Sequence, residues 1–162
     1  MCRAHAFISW PAGAKIFLPI LCAAALSCMA CPGERPDSTN TPQEMFQAVV
    51  LNRIPSGITR IEGVGDVRGG YNLFIRFTAD KSARKMVLAA YSYKKTDCKK
   101  MNFPMKLSPS YDRFAGGWNP GHVKNPECYD AGETSNSWSK GGYHKLLIDP
   151  VSGTVYFTGI GI

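Results

Sequence analysis

Between Gly69 and Ala79, Tyr71, Leu73, Ile75 and Phe77 alternate with Asn72, Phe74, Arg76 and Thr78. A period of two, rich in aromatic and branched residues, predicts a half-buried strand. It is the strongest strand signal in the chain and is expected near the middle of one antiparallel sheet. Directly behind it, Asp80 suits a helix cap. Ala83, Met86, Val87, Ala90 and Tyr91 then recur at helical spacing, which commits one helix face to a core on the sheet. Upstream, Thr41-Pro42-Gln43-Glu44 has the form of a capping box with proline at the first helical position. Met45, Phe46, Val49 and Val50 follow at helical spacing. This helix is expected to end before Pro55, because the residue before a proline avoids helical angles.

Weaker patterns complete the outline. After a turn at Ile54-Pro55-Ser56-Gly57, a weak strand is expected over about Ile58 to Val67. Gly63-Val64-Gly65 lacks the following Lys-Ser or Lys-Thr of a phosphate loop, so it reads as a bulge or glycine-rich hairpin. Near the C-terminus, Tyr143 to Asp149 and Thr154 to Ile162 flank Pro150-Val151-Ser152-Gly153, which predicts a closing hairpin. The stretch from Thr96 to Gly142 is dense in Gly, Pro, Asn and Ser. It also holds Phe103, Tyr111, Phe114, Trp118, Tyr129 and Trp138, which are expected to cover a core edge or fill satellite clusters. The order predicts an α+β single domain over residues 42–162. It has one antiparallel sheet of about four strands, two helices on one face, and an irregular disulfide-linked half.

The first 27 residues read differently. Arg3 and Lys15 are their charges, and Ile16 to Ala30 runs without one. A basic start, a short apolar run and a small-residue exit predict a secretory signal over residues 1–27. The run is shorter than the roughly 20 residues a membrane span needs. Pro32 to Pro42 is rich in proline and polar residues, so residues 28–41 read as a flexible linker.

Charge adds one candidate surface. The formal net charge is +7, of which Arg3 and Lys15 supply two, leaving +5 for the rest. Lys81, Arg84, Lys85, Lys94, Lys95, Lys99 and Lys100 fall within one 20-residue stretch, against Asp97 inside it and Asp80 directly before it. A solvated helix face is one reading, and an anion-binding face is the other. The partners expected are the membrane, through an N-terminal lipid, and an anionic envelope component or protein. Nucleic acid is not expected.

Catalytic chemistry finds little support. Gly-x-Ser-x-Gly, His-Glu-x-x-His and metal-spaced acidic clusters are missing from the sequence. Cys98 and Cys128 lie in the part expected to fold outside the cytosol, where two cysteines most simply form a disulfide. With His122 and His144 they would offer a zinc set, but the spacings match no compact zinc motif. No metal or cofactor is expected.

Two resemblances follow from quoted residues. Ala25-Leu26-Ser27-Cys28 resembles the bacterial lipoprotein signal, in which a cysteine behind a small residue is lipidated and becomes the new N-terminus. Ser27 matches the pattern, while Ala25 and Leu26 depart from it. Cys31 is the rival, and cleavage near Ala30 without a lipid is the alternative. Met29 behind the cysteine resembles lipoproteins sent to the outer membrane of Gram-negative cells. Separately, Ile61 to Asp66, Gly70 to Phe77 and Asp149 to Phe157 resemble an uncharacterised family of small exported bacterial lipoprotein-like proteins. That resemblance implies export and supplies no activity. The expected function is a lipid-anchored, non-enzymatic binding module of the bacterial envelope, facing the periplasm. A periplasmic inhibitor or immunity-type protein is the alternative, and a hydrolase using His122 or His144 as base ranks below it.

Overall fold

The computed structural model describes residues 40–66, 70–112, 117–136 and 139–161. The expected signal, Cys28, Cys31 and nearly all of the linker lie outside the described residues, as do Val67, Phe114 and Trp138. In chain order the elements are α1 (Pro42–Val49), β1 (Ile58–Asp66), β2 (Tyr71–Ala79), α2 (Lys81–Ala90), β3 (Lys94–Thr96), α3 (Pro109–Asp112), β4 (Glu127–Asn136), β5 (Ser139–Ile148) and β6 (Thr154–Gly161). A single 3-10 turn, Pro120–His122, precedes β4.

The helices start where the sequence places them. At α1, the Glu44 amide donates to Thr41 Oγ1 at 3.2 Å, and the Thr41 amide donates to Glu44 Oε2 at 2.7 Å. This reciprocal box satisfies two amides that a helix start otherwise leaves without partners. Thr41→Ala is expected to lower the unfolding free energy by about 1 kcal/mol. Urea unfolding followed by circular dichroism checks this, and an unchanged midpoint would show that the cap is dispensable. At α2, Asp80 Oδ1 accepts the Ala83 amide at 2.7 Å.

All strand pairs are antiparallel, in the order β1-β2-β6-β5-β4-β3. The sheet therefore has six strands rather than about four, and β2 lies one strand in from an edge. The two additional strands come from and beside the stretch read as irregular. β3 has three residues, too few to show a period. In β4 the register shifts between Asp130 and Glu133, and Gly132 sits at φ 64°, so alternation is broken where a pattern would be sought. The closing hairpin forms as expected. Its turn needs Gly153, whose φ of 74° favours glycine, and Asp149 accepts the Val151 amide at 2.9 Å and the Ser152 hydroxyl at 2.7 Å.

Both faces of the sheet are covered. On one, Met45, Phe46 and Val49 of α1 and Ala83 and Val87 of α2 pack against Leu73, Ile75 and Phe77 of β2, Leu146 and Ile148 of β5, and Val155 and Phe157 of β6. Phe46 and Phe77 meet edge to face at 5.0 Å. Burying each large side chain of this set contributes about 1.5–3 kcal/mol. On the other face, Met101, Phe103 and Trp118 pack on Val64, Phe74, Cys128, Leu147 and Tyr156. Trp118 stacks parallel on Phe103 at 5.9 Å and donates its indole N–H to the Pro104 carbonyl at 2.8 Å. Of the scattered aromatics, Phe103, Tyr111 and Trp118 thus belong to a second core, held to the sheet also by Arg76, which donates to the Gly117 carbonyl at 2.8 Å.

Candidate functional site

The seven basic residues occupy three local structures. Lys81, Arg84 and Lys85 lie three and four apart on α2, opposite the buried Ala83 and Val87. Lys81 and Lys85 are exposed, and Arg84 is half-buried. Lys94 and Lys95 are on β3, the edge strand, where successive side chains point to opposite faces. Their cross-strand partners are Asp130 and Tyr129. Lys99 and Lys100 are exposed on a turn closed by Asp97, which accepts the Lys99 amide on its carboxylate at 2.9 Å and the Lys100 amide on its carbonyl at 3.0 Å.

Glu127 joins two of these groups. Lys95 Nζ donates to Glu127 Oε1 at 2.8 Å, and the Tyr129 hydroxyl donates to Oε2 at 3.3 Å. The Lys95 hydrogen bond is the main reason that the Glu127 carboxyl is held below its ordinary range, and the Arg84 guanidinium adds to it. The same contact raises Lys95 above the usual lysine value. Glu127 is thus paired with Lys95 on the β3–β4 edge, and it offsets part of the field of Lys95 and Arg84.

The disulfide fixes the third group to that edge. Cys98 is bonded to Cys128 with the Cα atoms 5.3 Å apart, and Cys128 is buried on β4. The turn bearing Lys99 and Lys100 is thereby pinned beside β3. Lys94 is set apart from Lys95 on the opposite face. A very short edge strand bearing two lysines also blocks pairing with another sheet edge, so these two side chains have a structural use as well. Among the described residues, Lys81, Lys85, Lys94, Lys99 and Lys100 form no ion pair.

The histidines do not assemble a site. His122 is exposed on the 3-10 turn. His144 is fully buried, and its Nε2 is hydrogen-bonded to the Tyr71 hydroxyl at 2.6 Å. Tyr91 meets its ring edge to face at 4.6 Å, and Phe157 at 5.1 Å. Burial pushes its pKa down to about 4. Tyr71 reaches His144 because β5 and β6 offer glycine beneath it. A Cβ at Gly161 would collide with the Tyr71 ring, and one at Gly142 with its hydroxyl. This pair joins residues 73 apart, which no local pattern reveals. The one sequence clue is that His144 is in phase with Leu146 and Ile148. With Cys98 and Cys128 bonded to each other, the four residues of the zinc reading are not brought together. Among the described residues no three His, Cys, Asp or Glu side chains are grouped to hold a metal ion.

Comparison with protein-family models, with curated proteins and with solved structures returned no match. Fold and site together define an α+β domain with a six-stranded antiparallel sheet and a basic, disulfide-pinned edge.

Proposed function

We propose that the chain is an exported, lipid-anchored envelope protein whose domain is a non-enzymatic binding module for an anionic surface. The observation that carries this reading is the placement of Lys81 and Lys85 on the solvent face of α2 and of Lys99 and Lys100, both exposed, on the turn that the disulfide pins to β4. These side chains face water on elements whose other sides are committed to the core. A lipid on Cys28 would hold the domain near the membrane, so a weak contact would be populated through high effective concentration. Among the described residues no helix is long and apolar enough to cross a membrane.

The test is cosedimentation of the chain from Pro32 onward with anionic and with neutral vesicles. Charge attraction of this kind weakens as the Debye length falls from about 10 Å at 0.1 M salt to about 3 Å at 1 M. Preference for anionic vesicles at low salt, lost at high salt, is the expected result. Lys85→Gln, Lys99→Gln and Lys100→Gln are each expected to weaken binding about fivefold. Equal binding to both vesicle types would leave the basic residues as a solvated surface.

A further inference from the structure

On the sheet face opposite the helices lies a cleft of about 250 Å³ that takes no part in the basic edge. Its floor is a grid of three neighbouring strands. Asn72, Ile160 and Tyr143 form one row across β2, β6 and β5, and Phe74, Thr158 and Lys145 form the next. One wall is the loop containing Asn102 and Pro104. That wall is fixed: Trp118 holds the Pro104 carbonyl, and Lys145 Nζ donates to the Asn102 carbonyl at 3.2 Å. Trp118 also packs 5.7 Å from the Phe74 ring. The cleft is therefore built into the second core.

Three features of the cleft ask for a ligand. Asn72 Oδ1 is shielded from solvent yet has no hydrogen-bond partner among the described residues. Leaving a buried acceptor in that state costs about 1–3 kcal/mol. Tyr143 and Ile160 stand directly opposite each other and are 54% and 53% exposed, while most large apolar side chains among the described residues are buried. Finally, Lys145 has three N–H donors and spends one on Asn102.

We infer that this cleft binds a single saccharide ring. A sugar ring presents an apolar C–H face, which suits the flat surface of Tyr143 and Ile160. Its rim of hydroxyls supplies a donor to Asn72 Oδ1 and acceptors to Lys145. The cleft is below the roughly 300–1,000 Å³ of drug-sized ligand sites, which fits one ring and not a folded peptide. Strand addition by an extended peptide is blocked, because the floor strands are hydrogen-bonded to one another on both sides. An acyl chain would bury Asn72, Thr158 and Lys145 without compensation. A phosphate would find Lys145 as the one cation among the lining residues, against an apolar surface of Phe74, Pro104 and Ile160.

The experiment is saturation-transfer NMR on the full chain in detergent, with N-acetylglucosamine, glucuronic acid and the chitin tetramer as probes. Expected are transfer to the sugar C–H protons and millimolar binding of at least one probe. Tyr143→Ala should weaken that binding about tenfold, and Tyr143→Phe should retain it. Asn72→Ala should weaken it about fivefold. Tyr143 is a surface residue, so its variants test binding without disturbing the fold. Tighter binding of the tetramer would assign the ring to a glycan polymer, and equal binding would assign it to free sugar; either supports the site. No binding of any probe, or binding indifferent to Tyr143→Ala, would overturn the inference. So would displacement of the sugar by a short peptide at equal concentration.

Discussion

Replacement of both Cys98 and Cys128 by alanine is expected to lower the unfolding free energy by about 3–4 kcal/mol. The bond spans a sequence separation of 30, and opening it returns that loop's freedom to the unfolded chain. The segment it closes has little regular structure of its own. Among its described residues are a four-residue helix and one 3-10 turn, and it meets the sheet through Met101, Phe103 and Trp118. Alanine is preferred to serine because Cys128 is buried, where a hydroxyl would need a partner. Guanidinium unfolding of the oxidised protein against the double variant measures the difference. Release of the Asp97–Lys100 turn should also weaken binding to anionic vesicles, because Lys99 and Lys100 lose their fixed place beside β3. A variant as stable as the parent would show that the aromatic contacts of the second core suffice.

Acid is expected to destabilise the fold in a window that belongs to one residue. His144 is buried neutral, with its pKa lowered from 6.5 to about 4 by burial. Between these values the unfolded chain binds a proton that the folded chain does not, so stability rises with pH across the window. It is complete above about pH 6.5 and lost progressively as pH falls to about 4, by about 3 kcal/mol in all. Glu44, Glu127 and Asp149 also have lowered pKa values, from hydrogen bonds to Thr41, Lys95 and Ser152 respectively. Their effect has the same sign but sets in only as pH falls to ordinary carboxylate values and continues below them. The loss between pH 6.5 and 5 thus reports His144. His144→Gln should flatten that part of the profile while keeping a hydrogen-bonding group against the Tyr71 hydroxyl. A slope that survives the substitution would place the titrating group elsewhere.

What could be read from the chain was whatever local periodicity and capping carry. Thr41 and Glu44, the alternation of β2, the cap at Asp80 and the Asp149 to Gly153 turn are each determined within a few residues. β3 and β4 were illegible for the opposite reason. β3 is defined by pairing with β4, and β4 is interrupted by a bulge at Gly132, so its ten residues show no clean period. The sequence leaves open whether the aromatics of the irregular half cover a core edge or fill a satellite cluster; Phe103 and Trp118 do the latter with Tyr156, and which residues meet there depends on chain path and not on spacing. Of the basic stretch, the solvent face of α2 was legible from the positions of Ala83 and Val87. The opposition of Lys94 and Lys95 across β3, and the tie from Lys95 to Glu127 32 residues away, were not. The cleft was least visible of all, since Asn72, Lys145 and Tyr143 share a row or a neighbour only through the register of three strands.

Intact-mass spectrometry of the protein extracted from cell envelopes tests the tethered module most directly. A mature chain that begins at Cys28 and carries acyl mass is the expected result. A mature chain that begins at an unmodified residue, recovered from the soluble fraction, would contradict it.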